Sequence, residues 1–344
     1  MPFCAARCDY CAFATWTDRH HLQQAYLDAC HTDVERSVAA GLPAATSVFV
    51  GGGTPSLVAP EALMAVVASV PRAQGCEITV ECNPDTVTPA LMAAYAAGGV
   101  TRISLGVQSM VDHVLAGLGR THDPANVRRA VTVVRDAGIT SINLDLIYGG
   151  TGESLDDWRR TIDGALALDP PHVSAYALTI EPGTPLAADP ARHPDDDDQA
   201  EKYLLASSAL EEAGLAWYEI SNWARPGHEC RHNQLYWSMG EYQAFGCAGH
   251  SHRGGRRFWN VHTPERYVEA VAAGRSPEAA GERLGRGERR LEALQLAVRT
   301  RSGVPAGTLP VDELGDLVEV GSDDRAVLTV RGRLLANEVA LRLR

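Results

Sequence analysis

Through the middle of the chain, short apolar runs rich in β-branched residues alternate with longer stretches whose apolar positions recur every three or four residues. The short runs SVFVGG (47–52), EITVEC (77–82), RISLGVQ (102–108), INLDLIYG (142–149) and HVSAYALTI (172–180) predict strands. Between them, residues 19–40, 59–70, 88–97, 124–137, 154–168 and 197–213 predict helices, several closed by glycines such as Gly41, Gly98 and Gly214. The acidic run DDDD (195–198) opens the last of these, where carboxylates favour the positive end of the helix dipole.

Repeated strand-helix units predict an α/β fold with a parallel sheet covered by helices, because parallel neighbours need crossovers of one hand. GGGTP, ECNP, GVQS and DLIYGG all fall at or just beyond the C-terminal ends of strands. That rim is where barrels assemble their chemistry, so a partial (β/α) barrel is the expected form. After about residue 225 the pattern changes. Loops rich in aromatic residues, Gly and His (225–262) precede two helices (264–274 and 286–300), and the end reads as a hairpin followed by a helix. Two units follow: a barrel over 1–225 and a small wing-like α+β domain over 226–344.

With 344 residues, 45% hydrophobic and 22% charged, the chain can bury a large core. Its formal net charge of -12 argues against a nucleic-acid partner, which needs a basic face, and RGGRR (253–257) reads as solvated loop. No apolar stretch approaches the ~20 residues of a bilayer span, and residues 1–20 lack the pattern of a signal peptide. A cytoplasmic protein is the expectation. In a reducing cytosol its eight cysteines read as metal ligands and core residues sooner than as disulfides. Cys30, Cys76 and Cys82 have ordinary core or strand readings.

Cys4, Cys8 and Cys11, in MPFCAARCDYCAF, could ligate zinc, form a redox pair or hold an iron-sulfur cluster. Structural zinc wants four protein ligands, and a redox pair has no use for a third thiol. Three thiolates suit a [4Fe-4S] cluster with one iron left open for a small molecule. The CxxxCxxC spacing, with an aromatic residue before the last Cys, resembles the radical S-adenosylmethionine (SAM) superfamily. There the open iron takes the amino and carboxylate groups of SAM. VGGGTPS, ECNP, GVQ, LGRTH, NLDLIYG and YALTIEPGTP follow in an order that resembles the oxygen-independent coproporphyrinogen oxidase group. The resemblance implies that the backbone at Tyr10 and Ala177, the loop Gly52, Gly53 and Thr54, and the side chains of Glu81, Gln108, Arg120 and Asp145 surround SAM. Carboxylates suit ribose hydroxyls, and an arginine suits the methionine carboxylate.

Within that group, the decarboxylating enzymes carry a further cysteine two residues after the third, where this chain has Phe13. CRHNQLYW (230–237) instead resembles the HNxxYW pattern of the related haem chaperones. This implies haem as a third cofactor, haem-accepting proteins as partners, and His232, Asn233, Tyr236 and Trp237 as haem-site residues, with His232 the candidate axial ligand. His250, in FGCAGHSH, is a second candidate ligand or a wall of the SAM site. The alternative function is that of a coproporphyrinogen III dehydrogenase. In the family a strand of type YVHIPFC leads into the first cysteine, so a further strand upstream of Cys4 is expected. Ala12 and Ala14 replace the usual acidic residue and Asn.

Overall fold

A computed structural model describes residues 1–343 of the chain and places seven strands in one sheet. The five expected strands are β1 (Ala45–Val50), β2 (Arg72–Cys82), β3 (Arg102–Gln108), β4 (Ser141–Tyr148) and β5 (His172–Ala177), mutually parallel and adjacent in chain order. The helices α1 (Gln23–Ala39), α2 (Pro60–Ser69), α3 (Pro89–Ala97), α5 (Pro124–Asp136) and α6 (Leu155–Leu166) fill the predicted windows, with a short unpredicted α4 (Asp112–Gly117) after β3. α7 (Asp196–Glu212) opens on the acidic run, and the Asp195 side chain accepts from the Asp198 amide. Thr88, Asp123 and Ser154 cap α3, α5 and α6 in the same way, each such cap being worth about 1 kcal/mol.

The sheet does not stop at β5. β6 (Ala216–Glu219) and β7 (Asn222–Ala224) form a short antiparallel hairpin whose second strand pairs with β5. Runs this short carry too little alternation to be read from sequence. β5 itself ends at Ala177, three residues before its expected end, where the chain turns into TIEPGTP.

Strand residues alternate strictly between two environments. Ile103, Leu105, Ile142, Leu144 and Val173 are buried under the helices, while Glu77, Thr79, Glu81, Ser104, Asn143, Asp145, His172 and Ser174 share the opposite face through the parallel register. That polar face is concave. The seven-residue helix α8 (Arg231–Trp237), about 10 Å long, hydrogen-bonds to β2 at one side and to β6 at the other. Those strands lie near opposite edges of the sheet, and in a flat sheet they would stand more than 20 Å apart. The sheet therefore curls into a half-barrel whose open side α8 crosses.

The segment 225–262, expected to be loop, holds more structure than that. Besides α8 it contains β8 (His250–Arg253) and β9 (Arg256–Asn260), which pair with β10 (Glu278–Arg283) in a three-stranded sheet. RGGRR is thus a hairpin, its turn made by Gly254 and Gly255 at φ of 57° and 71°, the backbone region that favours glycine. Its charged strands hid the alternation. α9 (Pro264–Ala272) and α10 (Arg286–Ala297) match the expected helices. Tyr267 and Val271 of α9 belong to the barrel core, whereas a second core gathers Val298, Val304, Leu328 and Val339 under the terminal hairpin β12 (Val318–Val320) and β13 (Arg325–Leu328), in a sheet with β11 (Val304–Pro305). No helix among the described residues is long and apolar enough to cross a membrane.

Candidate functional site

The three cysteines sit on a loop strapped across the C-terminal rim of the sheet. The Gly53 and Thr54 amides donate to the Met1 and Phe3 carbonyls at 2.6 and 2.8 Å, and the Cys4 amide donates to Trp16 O at 3.1 Å. Phe3 is fully buried, edge-on to Tyr26 with ring centroids 5.4 Å apart. Further along, Asp9 O accepts from the Leu186 amide at 3.0 Å, and the Asp9 carboxylate pairs with Arg192 at 2.8 Å. The loop is thereby tied to β1 at one end and to the segment after β5 at the other.

Glycine is required where this loop meets the GGGT turn. Gly52 has φ of 107°, and a Cβ on Gly53 would stand 2.6 Å from Phe3 O and 3.0 Å from Cys4 Sγ. Thr54 Oγ1 lies 3.7 Å from Cys4 Sγ as a donor, and Arg120 Nη1 donates to Cys8 Sγ at 3.3 Å. Burial pushes the Cys4 and Cys11 thiols up, so these thiolates are costly without a cation to hold them. The Arg120 Nε is buried and unpartnered. Three free thiols beside a fixed guanidinium and a side-chain-free turn fit a thiolate-held metal group with room for an anionic ligand. No three His, Cys, Asp or Glu side chains among the described residues converge on one point as the ligands of a single ion would. Thiolates on a cluster each take a different iron and need not converge.

Most of the residues singled out for SAM surround this loop. Glu81 Oε2 accepts from the Gly52 amide at 3.0 Å. Burial, aided by the neighbouring Asp145 charge, pushes its carboxyl up to about 7. Asp145 accepts from Ser104 at 2.6 Å and Asn143 at 2.8 Å, and burial raises it too. Arg120 Nη2 donates to Gly106 O at 2.8 Å, and the register shift between Gly106 and Gln108 leaves Gln108 buried at φ of 63°. Tyr10 packs against the satellite core of Val114, Leu118, Ile147 and Leu178, and Ala177 ends β5 with its carbonyl accepting from Thr179.

The second group lies below the rim, on α8. The Glu77 carboxylate accepts from the Arg231 and His232 amides at 3.0 and 3.3 Å and so anchors the helix start to β2. Asn233 Nδ2 donates to Glu219 Oε1 at 2.8 Å, and Asn222 donates to the same oxygen. Trp237 lies against that carboxylate, which burial pushes up. His232 stacks on Phe49 with centroids 5.0 Å apart and hydrogen-bonds Ser47 through Nδ1 at 3.0 Å and Tyr236 OH through Nε2 at 2.9 Å. Both its nitrogens are engaged, and burial lowers it to about 4. Tyr236 is 40% exposed. His250 stands apart from this group, exposed on β8 and stacked on Trp259.

Glu77, Glu219, Phe49 and the pair of Asp9 with Arg192 were not singled out in the sequence. The polar alternation of β2 to β5 could have flagged the concave face, but the partners of Glu219 and Arg192 are set only by the fold.

Residues 1–165 match the model of the radical SAM superfamily. A protein of Mycobacterium tuberculosis (strain H37Rv) called "Heme chaperone HemW" is 42% identical over 358 residues, 98% of this chain and 92% of the relative. The HemW of Bacillus subtilis (strain 168) is 32% identical over 98% of this chain and 96% of its own length. The structure of coproporphyrinogen III oxidase (HemN) from Escherichia coli, described as a radical SAM enzyme, superposes with a TM-score of 0.85 over 99% of this chain and 88% of that one. At 20% identity this shows a shared fold. By length, identity and coverage, the chain belongs to the HemW family of the radical SAM superfamily.

Proposed function

We propose that this protein is a haem chaperone of the cytoplasm that binds haem and hands it to acceptor proteins, with a barrel unit over 1–225 that holds a [4Fe-4S] cluster and SAM and an accessory unit over 226–344. Cys4, Cys8 and Cys11 would hold the cluster. Glu81, Gln108, Arg120, Asp145, the Gly52–Thr54 turn and the backbone at Tyr10 and Ala177 would receive SAM. When bound, the cluster supplies an iron open to the amino and carboxylate groups of SAM. Arg120 would place its guanidinium against the carboxylate, and Glu81 would accept from hydroxyl or amino donors while staying anchored to Gly52.

The observation that carries the carrier reading is α8. HNxxYW does not face solvent as an isolated corner. His232 and Asn233 brace the helix across the open side of the half-barrel, while Tyr236 turns outward. That leaves the Tyr236 ring partly exposed, an aromatic face on which a porphyrin could rest. At the enzyme-specific position, Phe13 is 61% exposed and supplies no thiol.

The test is a haemin titration of anaerobically reconstituted protein, followed by mixing with an apo-haem protein. The expected result is a shifted Soret band that passes to the acceptor, with coproporphyrinogen III left unchanged in the presence of SAM and reductant. Turnover of coproporphyrinogen would contradict the reading.

A further inference from the structure

The stretch LGRTH between α4 and α5 gives the rim Arg120, and it holds a second polar side chain turned inward. Arg120 and His122 point into the protein, while Thr121 and Asp123 between and after them are exposed. His122 is 3% exposed, and its Nε2 faces Val107 O at 2.8 Å. A carbonyl only accepts, so Nε2 carries the proton and the ring donates. Burial and the nearby Arg120 charge push His122 down, which keeps the ring neutral and leaves Nδ1 bare. Among the described residues Nδ1 has no partner. The one hydrogen bond of this buried ring therefore goes to the end of β3.

The carbonyl it holds lies inside an irregularity of that strand. The pairing of β3 with β4 slips between Gly106 and Gln108, and Gln108 sits at φ of 63°, a conformation that residues with side chains keep only where their surroundings impose it. Arg120 Nη2 donates to Gly106 O, His122 Nε2 to Val107 O and the Ser109 amide to Val107 O as well, each at 2.8 Å. Arg120 and His122 thus grip consecutive carbonyls from one loop. That loop is itself fixed from outside, because Thr121 Oγ1 donates to Asp85 at 3.2 Å and Asp123 accepts from the Asn126 amide at 2.7 Å. A Cβ on Gly106 would stand 3.0 Å from both Arg120 Nη2 and Gln108 Nε2, so the two side chains meet over a residue that has none. Both belong to the SAM site proposed for this rim, and the bulge sets the aim of each.

We propose that His122 is a positioning residue of the SAM site: by holding the Val107 carbonyl it keeps the end of β3 in the form that brings Gln108 and Arg120 together. This rests on the SAM reading of the rim and adds to it a residue that touches neither SAM nor the cluster. Its effect on the ligand passes through Gln108 and Arg120.

The experiment titrates the anaerobically reconstituted, dithionite-reduced full chain with SAM and follows the electron paramagnetic resonance spectrum, comparing parent and variants at equal iron and sulfide content. His122→Leu removes the donor to Val107 O, His122→Asn is polar but too short to reach it, and His122→Gln places an amide N–H where Nε2 stands. His122→Leu and His122→Asn are expected to need at least about tenfold more SAM for half of the spectral change, while His122→Gln stays within about threefold of the parent. In a Gln108→Ala background, His122→Leu should weaken SAM by less than it does alone, because the histidine acts through the glutamine. If the parent spectrum ignores SAM, the SAM reading itself fails. If the parent responds and the loaded Leu or Asn variant responds at the same SAM concentration, the SAM reading stands and this assignment fails. Loss of the cluster in both of those variants would make His122 a residue of the fold alone and overturn the proposal, as would an equal cost of His122→Leu with and without Gln108.

Discussion

At the scale of single residues, the geometry around Cys4 leaves no slack. A methyl group on Gly53 would stand 2.6 Å from Phe3 O, a backbone atom that cannot rotate away, and 3.0 Å from Cys4 Sγ. Gly53→Ala should therefore displace Cys4, cost roughly 1–3 kcal/mol, and lower iron and sulfide content after anaerobic reconstitution; a full cluster in this variant would contradict the placement. Glu81 makes a pH prediction. Its folded value of about 7 lies above the unfolded value near 4.5, so the native state binds more protons between them and stability falls as pH rises through that window. The loss amounts to at most about 3 kcal/mol. His232, lowered to about 4, works in the opposite sense, losing stability as pH falls below about 6.5, so the two must be separated by difference. Relative to the parent, Glu81→Gln should gain stability progressively from pH 4.5 to 7 in urea titrations of the apoprotein; a pH-independent difference would contradict it. The cysteines and the GGGT turn were legible in sequence because their chemistry is local. Glu219 was not, because Asn233 finds it only after α8 has crossed the barrel.

At the scale of elements, periodicity carried the five long strands and their helices, since each repeats its pattern often enough to be read. β6, β7 and α8 escaped it because elements of four, three and seven residues draw their stability from tertiary contacts rather than from propensity. α8 is the sharpest case. Its start is held by Glu77 and its middle by Glu219, both carboxylates on the concave face. Asn233→Ala removes one donor to a buried carboxylate and should cost about 1–3 kcal/mol, seen as a lower midpoint in thermal unfolding. Unchanged stability would mean that α8 does not depend on this anchor. The β8–β9 hairpin escaped for a different reason, its alternation being masked by arginines paired across strands to glutamates.

Across the whole molecule, one of the contacts that join the two cores is of mixed character. Arg333, from the helix after β13, places its guanidinium 3.9 Å from the ring centre of Trp217 on β6 and pairs with Glu211 of α7 at 3.2 Å. Arg333→Ala should loosen the terminal unit by about 1–2 kcal/mol and raise amide exchange over residues 304–343 more than within the barrel; uniform exchange would show that the two cores unfold as one. Parallel strands covered by helices were readable as a plan. The curl was readable too, since unusual residues gathered at the strand ends predict a partial barrel; what was not readable is that α8 crosses its open side and that the hairpin β6–β7 extends the sheet.

The proposal that Cys4, Cys8 and Cys11 hold a cluster with one open iron is tested most directly by electron paramagnetic resonance of the anaerobically reconstituted, dithionite-reduced protein with and without SAM. The account predicts a reduced [4Fe-4S] signal, with about four irons and four sulfides per chain, whose spectrum changes when SAM is added. Zinc in place of iron, or a cluster signal indifferent to SAM, would contradict it.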